Sequence, residues 1–151
     1  MTPPPAKLQN SRTGNAGLFH VSWELARRGW HVTLTVRNAR GADLYVADDA
    51  EAVIHPIQSK ALAKRSPVPL GKSLAKLRSP WWALTVNALS EKPTCYIMTL
   101  DEVKAGAHRG VSSSGEESFW LQPNDFMKAE YQERWDRLGD PLDVVTRQAA
   151  T

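Results

Sequence analysis

GADLYV at residues 41–46 and VIHPIQSK at residues 53–60 are the two stretches that decide the fold of this chain. Both are short, bounded by turn residues and rich in apolar side chains, which predicts two consecutive β-strands. The acidic stretch DDAE at residues 48–51 predicts a turn between them, so that the strands can pair as a hairpin. Pro56 cannot donate a hydrogen bond within a sheet, and we expect a bulge or bend there.

Three polar side chains lie at the facing ends of these two strands. Asp43 stands at the start of the first strand, and Gln58 and Lys60 stand at the end of the second. Because side chains alternate along a strand, Gln58 and Lys60 project from one face while Ser59 points the other way. In a hairpin, a carboxylate, an amide oxygen and an ammonium would converge, which is enough to hold a divalent cation against a phosphate. Asp43 could instead belong to a simple turn, and the other two could be the solvent face of an edge strand.

Composition limits the class of protein. The length of 151 residues suits one domain, and 42% apolar with 23% charged residues excludes a disordered or fibrous chain. No apolar run approaches the ~20 residues that cross a bilayer, and residues 1–7 lack the apolar stretch of a secretory signal. The single cysteine, Cys95, lies in an apolar segment and predicts a buried, unreactive thiol. We therefore expect a cytoplasmic protein with no membrane attachment.

Positive charge is concentrated directly after the candidate site. Six basic residues and no acidic residue lie between Lys60 and Arg78, and removing these six charges from the net charge of +3 leaves the remainder at −3. A local positive field of this kind attracts a polyanion. The alternative is a solvated surface loop in which lysines only confer solubility.

Further elements are predicted on both sides of the hairpin. Residues 1–12 are rich in proline and polar groups and predict a flexible arm, followed by an amphipathic helix from about Asn15 to Arg28. Strands are expected at 30–36, 81–87, 95–100 and 118–122, short helices at 72–78 and 101–104, and irregular segments at 67–71 and 112–117. This order predicts an α/β (α+β) fold with a mixed sheet, core order α-β-β-β-α-β, and additional strands.

The C-terminal region predicts one long helix. Asn124 is a suitable cap, and Met127, Tyr131, Trp135 and Leu138 form an apolar stripe at helical spacing. A single domain is therefore expected at 13–140, followed by a tail at 141–151.

The order of elements resembles that of a known group of enzymes. A helix, a strand, a strand with Asp43 and a strand ending in Gln58-Ser59-Lys60, then a helix and a strand, is similar to the PD-(D/E)XK nuclease superfamily. Restriction endonucleases and Holliday-junction resolvases share that fold. The opening helix of its small bacterial members resembles residues 14–30, and the resemblance as a whole covers about residues 14–100. It implies a restriction-endonuclease-like domain.

The resemblance also implies roles for individual residues. Asp43 is the implied first ligand of Mg²⁺ or Mn²⁺, Gln58 takes the second ligand position, and the Ser59 carbonyl is a further ligand. Lys60 is the implied catalytic cation, which orients or deprotonates the attacking water and stabilises the developing phosphate charge. Two positions depart from the family pattern, because Gln58 is neutral and Leu18 stands where many members carry a glutamate. We therefore expect weak metal binding in the absence of nucleic acid.

Three functions remain open on this basis. The leading hypothesis is a metal-dependent nuclease acting on nucleic acid, with DNA preferred to RNA, whose backbone phosphates are held by Lys64, Arg65, Lys72 and Lys76. The second is a nucleic-acid-binding module that kept the fold and lost the chemistry. The third is a protein-interaction module with an acidic partner. An edge strand or the final helix could also mediate a homodimer.

Overall fold

A computed structural model describes residues 2, 5–36 and 41–142. The helices are α1 (Ala6–Arg27), α2 (Leu100–Gly106) and α3 (Pro123–Phe126), and single 3-10 turns occur at Leu74–Lys76 and Trp135–Leu138. The strands are β1 (His31–Leu34), β2 (Leu44–Ala47), β3 (Ile54–Leu62), β4 (Val68–Gly71), β5 (Trp81–Val86), β6 (Thr94–Thr99), β7 (His108–Val111) and β8 (Glu117–Leu121). The predicted α/β class is confirmed.

A mixed five-stranded sheet forms the middle layer of the molecule. Its order is β1-β2-β3-β5-β6, and the pairing of β3 with β5 is parallel while the other pairings are antiparallel. On one face, Val21 and Leu25 of α1 pack with Leu44, Val46 and Ile57. The opposite face is covered by a small antiparallel sheet of order β4-β8-β7 together with α2 and α3. The central sheet therefore has a separate apolar core on each side.

The hairpin of β2 and β3 forms as predicted, with Leu44 opposite Ile57 and Val46 opposite His55. The expected bulge at Pro56 is wrong, because the antiparallel register continues through this residue opposite Tyr45. The parallel partner β5 begins only opposite Ile57. Pro56 therefore has a neighbouring strand on one side only, and its missing N–H leaves no gap in the ladder with β5.

The first helix begins earlier than the sequence predicts. It starts at Ala6 instead of near Asn15, so residues 6–12 of the predicted arm form its first turns. Gly17 lies where this helix crosses β3, and a β-carbon at that position would collide with the β-carbon of Ala61. The missing side chain therefore lets the helix approach the sheet closely.

The prediction of one long C-terminal helix is wrong. Only Pro123–Phe126 is helical, and the following segment instead bonds to the free edge of β6. There Ile97 N–H donates to Tyr131 O at 2.9 Å, and Glu133 N–H donates to Cys95 O at 2.8 Å. The apolar stripe was correctly identified as a source of core residues, because Tyr131, Trp135 and Leu138 are buried. Because the long final helix does not form, it cannot mediate the dimer considered above. The backbone hydrogen bonds of this segment instead cover the edge of β6.

The small second sheet accounts for the remaining differences. Residues 67–71 were predicted to be irregular but contain β4, and β7 was not predicted. The predicted helix at 72–78 is reduced to one 3-10 turn.

Cys95 is fully buried as expected, and burial raises the pKa of its thiol to about 12. Residues 143–151 of the predicted tail lie outside the described residues, and within the described ranges no helix is long and apolar enough to span a membrane.

Candidate functional site

The backbone around Asp43 is held by hydrogen bonds to both neighbouring strands. Asp43 N–H donates to Ile57 O at 2.9 Å, and Thr35 N–H donates to Asp43 O at 2.9 Å. The Thr35 hydroxyl also donates to Ala42 O at 2.7 Å. Gly41, which precedes Ala42 and Asp43, has a φ of 80°, a conformation that favours glycine. These contacts fix the direction in which the Asp43 side chain leaves the sheet.

The Asp43 carboxylate lies against the end of β3. Its Oδ2 atom accepts a hydrogen bond from Gln58 Nε2 at 2.7 Å and another from the Ser59 backbone N–H at 2.8 Å. Gln58 Nε2 also lies 3.4 Å from the Ser59 carbonyl oxygen. The structure therefore brings together all three groups that the sequence predicts as metal ligands.

The Gln58 amide presents nitrogen, not oxygen, to Asp43. An amide oxygen facing a carboxylate would be repelled, so donation by the NH₂ group is the arrangement that the isolated protein favours. This NH₂ group contacts the Asp43 carboxylate and the Ser59 carbonyl, the two oxygen groups that a cation would also use. Coordination by Gln58 Oε1 requires the amide to rotate and give up these contacts.

Burial and charge act in opposite directions on Asp43. Its burial raises the carboxyl pKa above the ordinary value of 3.8, and this effect outweighs the Ser59 hydrogen bond and the nearby Lys60 charge, which both lower it. The Asp43 carboxylate is thus partly desolvated, and a bound cation would stabilise its charged form.

Gln58 and Lys60 lie on the sheet face opposite α1, as the alternation predicts. Ile57 belongs to the core beneath α1, whereas Gln58 and Lys60 line a recess with Leu77 and Trp82. Gln58 is only 8% exposed. These residues therefore do not form the solvent face of an edge strand, because β3 is paired on both sides by β2 and β5.

The first helix supplies no acid to this site. Leu18 packs against the apolar core, as expected for a position that lacks the family glutamate. Glu24 is buried and forms ion pairs with Arg27 at 3.1 Å and with Arg28. Burial raises the pKa of Glu24, but the hydrogen bond and charges of these arginines outweigh it and hold the pKa below its ordinary value. Glu24 therefore stabilises the helix and does not contribute a ligand.

The donor set around Asp43 suits a weakly held magnesium-like ion. Within the described parts of the chain no group of three or more His, Cys, Asp or Glu side chains could hold a metal ion. One carboxylate, one amide and one carbonyl are oxygen donors of the kind that Mg²⁺ accepts beside waters and substrate phosphates. The residues fit such an ion only if substrate completes its coordination.

The four predicted phosphate-binding residues have different surroundings. Lys76 lines the recess beside Lys60, whereas Lys64 borders a separate surface pocket. Arg65 donates to Asn124 Oδ1 at 2.8 Å, and Lys72 pairs with Glu116 at 3.7 Å. Of these four residues, only Lys76 lines the recess that Gln58 and Lys60 also line.

Sequence reasoning counted Arg78 in the basic segment but assigned it no role in the site. It lines the same recess, and a β-carbon on Gly41 would lie 3.6 Å from the Arg78 β-carbon. The parallel pairing of β3 with β5 brings these two distant segments together. The acid-free basic run was the available signal, but no local pattern indicates which of its members faces Asp43.

Comparison with known proteins identifies the fold. The sequence matches no protein-family model and no curated protein. The structure is similar to that of a bacterial homing endonuclease, I-Ssp6803I, with a TM-score of 0.55 and 16% sequence identity, over 98% of this chain and 96% of the other. The chain therefore has a fold that resembles an endonuclease over nearly its whole length.

Proposed function

We propose that this protein is a metal-dependent nuclease that hydrolyses phosphodiester bonds, with DNA preferred to RNA. The observation that carries the proposal is the meeting of the Asp43 carboxylate, the Gln58 amide and the Ser59 carbonyl beside Lys60. The endonuclease-like fold supports the same conclusion, and DNA is the simplest substrate for a nuclease with such a neighbour. The pattern corresponds to a PD-(D/E)XK site with a neutral second position.

Each residue has a defined task in this reaction. Asp43, the Ser59 carbonyl and, after rotation of its amide, Gln58 would hold Mg²⁺ or Mn²⁺. When bound, such an ion activates water and neutralises charge on the phosphate. Lys60 directs a positive charge toward the same region, where it orients the attacking water and stabilises the charge that develops on the phosphate oxygens.

The experiment is a cleavage assay with purified protein. Duplex DNA, branched DNA and RNA are incubated with Mg²⁺ or Mn²⁺, and with EDTA in parallel. We expect metal-dependent products that disappear in Asp43→Asn and Lys60→Ala. Lys92→Gln is a suitable control, because Lys92 is exposed in the turn between β5 and β6. Cleavage that survives both site substitutions would show that the activity comes from elsewhere.

One observation favours a second function, a nucleic-acid-binding module without catalysis. The Gln58 NH₂ group donates to Asp43 and contacts the Ser59 carbonyl, and so engages both oxygen groups that a cation would use. This alternative predicts duplex binding that weakens steeply with salt and yields no product with either metal. It also predicts that Asp43→Ala preserves or slightly strengthens binding, because an anion then leaves the phosphate-binding surface.

A further inference from the structure

A small cationic recess adjoins the candidate metal site. It is lined by three basic side chains, Lys60, Lys76 and Arg78, and by Gln58, Leu77 and Trp82. Its volume is about 140 Å³, and its lining includes no acidic residue. Pockets that enclose drug-sized molecules are larger, roughly 300–1,000 Å³, so this recess suits a small anionic group and not a whole base or peptide.

Within the described residues the three basic residues of this cationic recess form no ion pair, and the Lys60 charge acts on the neighbouring Asp43 carboxyl. Among the described residues, ion pairs involve other cations, for example Lys72 with Glu116 and Arg109 with Glu117, and include none of these three. Convergence of like charges costs free energy unless an anion lies between them. The recess therefore has the electrostatics of an anion site.

The wall of the cationic recess is held in place. Trp82 Nε1 donates to the Ser79 carbonyl at 2.9 Å, and Gly41 lies against the backbone of Arg78 and Ser79. Ser79, the residue after Arg78, is only 1% exposed. Arg78 therefore projects from a fixed backbone and not from a loose loop.

We propose that the cationic recess binds one backbone phosphate of the nucleic acid, adjacent to the phosphate that is cleaved, with Arg78 as its main ligand. This inference rests on the proposed function, because Gln58 and Lys60 are shared by the recess and the candidate site. A guanidinium matches the geometry of phosphate oxygens and bonds them in pairs. Arg78 is thus a substrate-binding residue, and the recess sets the register of the strand across the site.

The test measures duplex binding by fluorescence anisotropy in EDTA between 50 and 200 mM salt. The duplex has about ten base pairs or more, so that it is longer than the site. We expect Arg78→Gln to weaken binding about tenfold at low salt and to reduce the slope of log K against log salt by about 0.9, the value for one lost phosphate contact. Arg78→Lys should recover the slope but not the full affinity. Lys92→Gln is the matched charge control and should leave the slope unchanged.

The possible results separate this inference from the proposed function. If Arg78→Gln behaves like Lys92→Gln while the wild-type protein still binds and cleaves, the recess is not a phosphate site and the nuclease proposal stands. If the wild-type protein binds neither duplex DNA nor branched DNA nor RNA, both are wrong. Inorganic phosphate alone is the other source of the same chemistry, and a thermal shift with phosphate but none with duplex would overturn the inference. The melting temperature of Arg78→Gln should equal that of the wild type.

Discussion

Asp43, just before β2, and Glu102, in the first turn of α2, are both partly buried carboxylates, and the fold treats their charges in opposite ways. The Glu102 carboxylate accepts hydrogen bonds from both terminal nitrogens of Arg137, at 2.8 and 2.9 Å, and from the Thr99 backbone N–H at 2.8 Å. Asp43 receives the neutral donors Gln58 Nε2 and Ser59 N–H. Burial raises the pKa of both, but the Arg137 and Thr99 contacts reverse the sign for Glu102, whose pKa is lowered. The fold therefore favours the charge on Glu102 and disfavours it on Asp43.

The cations near these two carboxylates differ in the same way. Arg137 also donates to Ile97 O at 2.7 Å and lies over the rings of Trp81 and Tyr131. It is therefore used within the protein to join β6, α2 and the C-terminal segment. Lys76 and Arg78 instead line an open recess. The comparison teaches that Glu102 and Arg137 satisfy each other's charge within the fold, whereas Asp43 accepts only neutral donors, in the region where we propose that a ligand binds.

Asp43→Asn should have the largest effect, and that effect should be on activity without loss of stability. We expect metal-dependent cleavage to fall by at least ~100-fold, because the single carboxylate of the donor set is lost. The folded state should be retained, since an asparagine oxygen can still accept the Ser59 N–H. Initial cleavage rates and far-ultraviolet circular dichroism measure the two properties. Glu102→Gln is the control and should leave the cleavage rate per folded molecule unchanged. Equal cleavage rates for the wild type and Asp43→Asn would contradict the difference between the two carboxylates.

Arg137→Gln should lower the free energy of unfolding by about 2 kcal/mol, because it removes a charged hydrogen-bond network and leaves Glu102 partly buried. Urea denaturation followed by tryptophan fluorescence measures this change. Arg134→Gln is the matched control, since Arg134 pairs with the exposed Asp136 near the same 3-10 turn and should have little effect. Similar losses for both variants would mean that the Glu102–Arg137 contacts are not what stabilises this region.

Gln58→Glu should increase Mn²⁺ affinity about tenfold in the absence of nucleic acid, because a second carboxylate replaces the amide that now donates to Asp43. Isothermal titration calorimetry with Mn²⁺ alone measures the change. Gln58→Leu removes the amide without adding charge and should not bind more tightly than the wild type. Unchanged affinity in Gln58→Glu would place the metal away from these residues.

The smallest effect is a difference in the pH dependence of stability, measured by urea unfolding in EDTA between pH 3 and 7. The lowered pKa of Glu102 gives stability that is present above its ordinary value of 4.5 and is lost as the pH falls through the lowered pKa. The raised pKa of Asp43 has the opposite sign, so its contribution becomes unfavourable as the pH rises from 3.8 through the raised pKa. At pH 7, Glu102→Gln should therefore be less stable than the wild type and Asp43→Asn equally or slightly more stable. The same sign for both variants would contradict the assignment.

Local patterns were informative where one element decides the outcome. The alternation in 53–60 correctly placed Gln58 and Lys60 on one face, and the turn at 48–51 correctly predicted the hairpin with β2. The apolar stripe of Tyr131, Trp135 and Leu138 identified core residues even though the helix was wrong. The segment that carries this stripe instead exchanges two backbone hydrogen bonds with β6, between Ile97 N–H and Tyr131 O and between Glu133 N–H and Cys95 O.

The sequence by itself determined the hairpin of β2 and β3, the residues that supply the carboxylate, amide and ammonium, and the apolar stripe that supplies core residues from the C-terminal segment. These features have a short-range physical basis, since period-two alternation and turn residues act within a few positions of the chain. Only the tertiary structure decided that Gln58 offers nitrogen to Asp43 and that Arg78 and Lys76 share a recess with Lys60. Those facts depend on the parallel pairing of β3 with β5, which places distant segments side by side through contacts that no local pattern encodes.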